Sequence, residues 1–313
     1  MIQYVVRRLL STVVVMAVVA FVVFSLLYLT PGDPAAVIAG DIATDEDIRL
    51  IRLHLGLDEP FLVRFGRWVW GLVHGDLGTS IFTNLPVTHL IAQRVEPTLS
   101  LTLCTLVVSI VVALPLGVLA AAKAGTWLDR AVMAFSVLGF SVPVFVIAYG
   151  LILTLSVQYE LLPVQGYRTF HEGWWEWLRH LILPSIALGT VYIALITRMT
   201  RASMLEVLAQ DYIRTAEAKG LAPGQVLIRH ALKNAAIPIV TTIGVGVALL
   251  ISGAIVTETV FALPGIGRLT VDAILRRDYP VIQGVTLIFS AVYVLVNLAV
   301  DLSYVLFDPR VRY

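Results

Sequence analysis

The run Asp211-Tyr212-Ile213-Arg214-Thr215-Ala216-Glu217-Ala218-Lys219-Gly220 reads as a short helix closed by a glycine, and it lies in a polar segment, 198–236, between two uncharged stretches, 180–197 and 234–257. A membrane-crossing helix needs roughly 20 apolar residues, and each flanking stretch supplies about that length. After Ala222-Pro223-Gly224 a second basic helical stretch follows. About two helical turns do not persist alone in water, so a neighbouring surface must hold the first helix. Asp211 is placed to cap its first amides and Gly220 to take the left-handed closing conformation. Tyr212, Ala216 and Gly220 share one stripe, with Arg214, Thr215 and Lys219 left to hydrogen-bond. Small residues at this spacing admit a second surface closely, which serves either docking of a partner or packing beneath the chain's own spans.

Working outward, uncharged runs of at least 18 residues recur at 9–32, 97–122, 131–159, 180–197, 234–257 and 279–300. With 58% apolar and 14% charged residues among 313, the chain reads as an all-α, polytopic membrane protein with six transmembrane helices. Arg7 and Arg8 precede the first run, yet its apolar stretch from Leu9 to Thr30 is too long for a signal peptide, and Pro31-Gly32-Asp33-Pro34 offers no small-residue cleavage site. Six crossings place both termini on one side. If the N-terminus is cytoplasmic, the inner segments 1–8, 123–130, 198–236 and 307–313 hold 12 of the 22 Lys/Arg, including Lys123, Lys219 and Lys233, although they are shorter than the outer ones. Density of basic residues therefore sets both termini in the cytoplasm. The organisation expected is a first span and outer segment over 1–94, a five-span domain over 95–306 and a cytoplasmic tail over 307–313.

Several chemistries are missing. There is no Gly-x-x-x-x-Gly-Lys-[Ser/Thr] loop to cradle ATP, no His-Glu-x-x-His metal pair and no histidine in the interior of a run. The chain is not expected to be an enzyme, to hold a metal or to bind a cofactor directly. With a net charge of +1 and the cations dispersed along the chain, nothing points to nucleic acid as a partner, and membrane lipid is expected instead. The single cysteine, Cys104, lies in the second run and has no internal partner.

Outside the runs, Thr44 and Asp47 resemble a capping box, followed by Ile48, Ile51 and Leu55 at helical spacing and a stop at Gly56. A second outer helix places Leu62, Phe65, Val69 and Leu72 on one face, with Trp68 and Trp70 alongside, and Gly75-Asp76-Leu77-Gly78 marks a turn. Trp174, Trp175 and Trp177 read as an aromatic belt. Buried charge is scarce: Asp301, one turn after Asn297, lies near the end of the last run, and Glu258 at the outer end of the fifth. Each suits a structural pair or helix-end solvation as well as a substrate role. A path across the membrane would draw on Ser136, Ser141, Thr154, Ser252, Thr257 and Glu258, and so would offer few strong directional contacts. Thr242, Gly246, Gly253 and Thr257 share a face that would line such a path or pack a helix closely.

The motif Arg214-Thr215-Ala216-x-x-x-Gly220, with Arg229-His230-Ala231-Leu232-Lys233-Asn234 and Ile237-Pro238 after it, resembles the cytoplasmic coupling motif of permease subunits in ATP-binding-cassette importers, those for dipeptides, oligopeptides and nickel in particular. Pro31-Gly32-Asp33-Pro34, Leu55-Gly56-Leu57-Asp58-x-Pro60, Gly75-Asp76-Leu77-Gly78-x-Ser80, Glu258-Thr259-Val260-Phe261-x-x-Pro264-Gly265-x-Gly267, Arg277-Asp278-Tyr279-Pro280 and Asp308-Pro309-Arg310 agree with it. The resemblance implies a type I importer permease fold in the cytoplasmic (inner) membrane. It also implies a second homologous permease subunit, two ATPase subunits carrying ATP and Mg, and an outer substrate-binding protein. Asp211, Tyr212, Arg214, Thr215, Ala216, Glu217, Lys219 and Gly220 would contact an ATPase. The general motif opens with Glu-Ala-Ala where this chain has Arg214-Thr215-Ala216, so an acid at that contact would come from Glu217 or Asp211. The implied cargo is a peptide, with nickel chelates, glutathione or small glycans as alternatives. A carrier or channel not coupled to ATP, and a membrane-anchored scaffold, are the competing classes.

Overall fold

A computed structural model describes residues 2–29, 34–39, 44–54 and 56–307. Thirteen α-helices occur among the described residues: α1 Ile2–Leu29, α2 Pro34–Ala39, α3 Asp45–His54, α4 Phe61–Val73, α5 Val87–Ala122, α6 Trp127–Ser141, α7 Val144–Leu151, α8 Trp174–Leu208, α9 Asp211–Ala218, α10 Pro223–Gln225, α11 Ala236–Val260, α12 Ile266–Arg276 and α13 Tyr279–Phe307. Wider π-helical turns extend α7 over Ile152–Gln158 and α10 over Val226–Leu232. The one β-bridge described joins Thr79 and Pro86.

Helices Val87–Ala122, Trp174–Leu208 and Tyr279–Val300 are long and apolar enough to cross a membrane. The run 131–159 is not one straight span. It bends by 101° between Ser141 and Val144, and its two arms reach the length and apolarity of a crossing only together, as a broken span or a re-entrant loop. Pro143 explains the break, because its ring removes an amide and biases Val142 to the extended backbone it adopts, ψ 126°. In the first and fifth runs the apolar stretches described are shorter, Leu10–Ser25 and Ala236–Val247. Pro31-Gly32-Asp33, Leu55, the tail 308–313 and the side chains of Arg7, Arg8, Asp47 and Asp301 lie outside the described residues.

The chain forms two compact units, one of residues 1–94 with 269–294 and the other of 95–268 with 295–313. In the first, α4 lies on α1 through Phe61, Phe65 and Trp68, whose rings meet Phe21 and Phe24 at centroid separations of 5.1–5.8 Å. The spacing had put Leu62 on this face; it is 74% exposed, and Phe61 takes its place because α4 begins right after Pro60. Gly56 closes α3 at φ +61°, with the Leu57 amide returning to the Arg52 carbonyl. The turn at 75–78 uses two positive-φ glycines, and the Gly78 amide donates to Asp76 Oδ1. Asp278, from the motif Arg277-Asp278-Tyr279-Pro280, is buried and accepts from Ser80 Oγ at 2.5 Å and from the Ile81 amide at 3.3 Å.

In the second unit α6, α7 and α11 pack on α8. Leu181, Leu188, Ile196, Leu250, Phe261 and Leu263 fill its core. Small residues set the approach of the helices. A Cβ on Gly139 would press on Thr190 at 3.0 Å, on Gly246 on the Tyr192 ring at 3.2 Å, and on Gly253 on Leu188 at 2.8 Å. The shared face of α11 is therefore a packing face. Where α5 meets α8, hydroxyls replace apolar groups. Ser109 Oγ reaches the Gly189 carbonyl at 3.5 Å, Thr197 Oγ1 the Ala113 carbonyl at 3.4 Å, and a Cβ on Gly117 would collide with Thr200. The hydroxyls of Thr105, Ser185 and Thr200 are buried without a hydrogen bond.

Candidate functional site

The helix α9 is held by one face and free on the other. Its backbone starts from Gln210, which offers no side-chain cap. Asp211 does not cap either: it occupies the first helical position and pairs with Arg214 one turn on, at 3.5 Å, both exposed to solvent. A carboxylate in the first turn still suits the positive end of the helix dipole. At the other end Gly220 sits at φ +79°, its amide bonded to the Glu217 carbonyl at 2.8 Å and that of Leu221 to Ala216 at 3.3 Å. No atom lies within 4 Å of where a Gly220 Cβ would be, so it is the backbone conformation that calls for glycine here.

The stripe expected from the sequence is divided by the fold. Ala216 is 8% exposed and faces the body of the protein, Tyr212 is 44% exposed, and the buried anchor is Ile213 at 1%. Ile213 and Ala216 stand three apart and so share the inner face. Ile213 belongs to a cluster with Met204 near the end of α8, Ala121 at the end of α5, Val226 and Ala231 in the π-turn, and Ala235 and Ile239 at the start of α11. Tyr212, Arg214, Thr215, Glu217 and Lys219 remain on the open face. The Ile213 anchor was missed because the Tyr-Ala-Gly spacing outweighed the one branched apolar residue among polar neighbours.

The expected path residues that are described differ in their surroundings. Ser136 and Thr257 are buried in helix contacts, whereas Ser141 and Thr154 are exposed, and all four hydroxyls donate to the carbonyl four residues earlier in their own helix. The Ser252 side chain lies outside the described residues. Glu258 is fully buried and holds structure rather than facing an aqueous route. Thr98 Oγ1 donates to its Oε1 at 2.6 Å, the Arg268 amide donates to its Oε2 at 2.9 Å, and Gly265 and Gly267 leave the room it occupies. Pro264-Gly265-Ile266-Gly267 is thus the loop that wraps a buried carboxylate. Between Glu96 and the segment 160–179, Tyr167 and the Phe170 amide donate to the Glu96 carboxylate at 3.0 and 3.2 Å, and Trp177 Nε1 reaches Ser100 Oγ at 3.2 Å. Trp177 is therefore a tethered ring, while Trp174 and Trp175 are exposed and meet edge to face.

One charged pair joins distant elements. Arg201 on α8 donates from Nε and Nη2 to the two carboxylate oxygens of Asp129 in the first turn of α6, at 2.5 and 2.8 Å, and the Gly125 amide adds a third bond to Oδ2 at 2.9 Å. Both residues stand outside the uncharged runs. The guanidinium and the Gly125 amide together give the Asp129 carboxylate three donors.

Residues 113–313 match the family described as the inner membrane component of binding-protein-dependent transport systems, and residues 1–102 match the N-terminal region of such components. The chain belongs to this family. It is 54% identical over 310 residues to a probable peptide ABC transporter permease protein of Sinorhizobium fredii, with 99% of each chain covered. It is 40% identical over 338 residues to the dipeptide transport system permease protein DppB of Escherichia coli, covering 100% of this chain and 99% of the other. Its fold is that of ABC importer permeases: an inward-facing structure of the MetNI methionine ABC transporter superimposes with a TM-score of 0.60 at 20% identity, over 71% of this chain and 97% of that one. The protein is accordingly a multi-pass inner-membrane permease that works beside ATPase and permease subunits and is not itself an enzyme.

Proposed function

We propose that this chain translocates di- or oligopeptides across the cytoplasmic membrane as one of two homologous permeases, above two ATPase subunits that carry ATP and Mg and beneath an outer substrate-binding protein. The observation that carries the reading is end-to-end similarity to peptide permeases. Both termini and α9 face the cytoplasm in this reading, in keeping with the density of basic residues. The open face of α9, formed by Tyr212, Arg214, Thr215, Glu217 and Lys219, meets an ATPase subunit. ATP binding closes the ATPase pair, displaces α9 and switches the spans between inward and outward access. The spans hold little charge to recognise one side chain, so cargo is selected by the outer protein.

The test uses the complete complex in vesicles with the binding protein added outside. Uptake of a labelled dipeptide should require ATP inside and the binding protein outside, and the ranking of peptides should follow that protein's affinities. Uptake without ATP would favour a carrier instead. Preference for a nickel chelate, glutathione or a small glycan over every peptide would keep the architecture and change the cargo. Lys219→Cys and His171→Cys, in a background lacking Cys104, should react with an impermeant thiol reagent from the inside and the outside respectively; the reverse would overturn the orientation.

A further inference from the structure

The Asp129–Arg201 pair is more than a surface contact. It joins residues 72 apart in sequence, on two different helices, with the carboxylate side chain 5% exposed and the guanidinium 26%. Pairs such as Arg49–Glu46, Arg168–Glu172 and Arg179–Glu176 instead link near neighbours, and their carboxylates are about half exposed or more. Burying a charge pair carries a desolvation cost that its mutual attraction barely offsets, so its presence is weak evidence for a stabilising role. A two-bond guanidinium fork instead fixes geometry, since it is satisfied in one relative placement of the two helices.

The position of this fork is informative. Helix α8 ends at Leu208, seven residues after Arg201, and α9 begins at Asp211. Ile213 of α9 and Met204 of α8 lie in one buried cluster, so a push on α9 is delivered to the end of α8 that carries Arg201. Asp129 stands at the start of α6, right after the turn 123–126, where Gly125 has φ +78° and donates to the same carboxylate. Ten residues further along α6, Gly139 meets Thr190 of α8. Helix α6 packs along α8, with a charged contact at its start and a close steric one near the 101° bend that leads into α7. Without the charged contact, the turn 123–126 would be free to absorb the movement.

We propose that Asp129 and Arg201 are positioning residues for transport: their fork locks α6 in register on α8, so that displacement of α9 reaches the bent α6–α7 arm. The proposal rests on the reading of α9 as the ATPase contact. It makes α6 and the end of α8 one lever, whose loss separates ATP hydrolysis from translocation.

The experiment measures ATP hydrolysis and peptide uptake on the same reconstituted complexes. Asp129→Asn keeps the shape of the side chain and removes its charge. It should leave ATP hydrolysis near the parent rate while uptake per ATP falls several-fold. Arg201→Lys keeps the charge without the fork and should fall between parent and Asp129→Asn. The reversed pair, Asp129→Arg with Arg201→Asp, should recover part of the uptake per ATP that either single reversal loses. It also provides the measurement should a single variant fail to assemble. Uptake per ATP equal to the parent in Asp129→Asn, or uptake and hydrolysis falling in proportion in every variant including the reversed pair, would overturn the proposal and leave a merely structural bridge. A parent complex that takes up no peptide would strike the function proposed above instead.

Discussion

Thr98 gives its hydroxyl proton to the Glu258 carboxylate at 2.6 Å and accepts the Ile266 amide at 2.8 Å, so one small side chain ties α5 to both the end of α11 and the start of α12. Both bonds are buried, and removing the hydroxyl breaks both at once. Thr98→Val should therefore destabilise the protein by about 1–3 kcal/mol. Thr98→Ser keeps both bonds and should stay close to the parent. Thermal unfolding midpoints of the purified complex in detergent check the order, and equal midpoints for Val and Ser would mean that the bonds contribute nothing.

The two faces of α9 should separate stability from transport. Ile213→Ala removes a fully buried branched side chain and should cost about 2–5 kcal/mol, seen as a lower midpoint and less assembled complex. Tyr212→Ala touches an exposed ring and should leave the midpoint nearly unchanged while lowering ATP-driven uptake. An equal loss of stability in both variants would show that Tyr212 is held by the body of the protein.

Gly220 is a backbone requirement with open space around it. Gly220→Ala should cost roughly 1–2 kcal/mol from the left-handed conformation alone, and Gly220→Asn less, because asparagine tolerates that region better. Uptake should rank Gly, Asn, Ala, then Val. A valine variant with undiminished uptake would show that the closing turn is free to rearrange.

The unpartnered hydroxyls between α5 and α8 predict a gain instead of a loss. Thr105→Val and Thr200→Val replace a buried, unbonded oxygen by a methyl group of similar size, and each should raise the midpoint by an amount corresponding to about 1 kcal/mol or more. Other helix hydroxyls, such as Thr190 and Thr242, bond the carbonyl four residues back. The same change at those positions should give no comparable gain. A lower midpoint for both seam variants would show that these oxygens have partners in the membrane.

Much was legible from the chain alone because the signals were local. Uncharged runs set the helices, Gly56 and Gly220 closed two others at positive φ, and short motifs spread over the whole length carried the family, whereas the break at Pro143 inside the run 131–159 emerged only with the fold. These depend on length, on backbone sterics and on the cost of charge in hydrocarbon, all of which are read within a few residues. What the sequence left open was which face of each helix turns inward. The Tyr212-Ala216-Gly220 stripe and the Leu62 face of α4 were both read from spacing, and both were rotated by contacts that spacing does not encode: Ile213 against Met204 and Val226, and Phe61 against Phe21 and Phe24.

The partners of the charged residues were likewise decided by the tertiary structure. Asp129 and Arg201 lie 72 positions apart, and Thr98 and Glu258 lie 160 apart, with nothing in either neighbourhood naming the other. Composition determined that this protein lives in a membrane and carries few charges there. Only the packing of α6 and α5 against the rest of their unit determined that two of those charges are buried clamps, because a carboxylate can stay out of water only where the fold brings it donors.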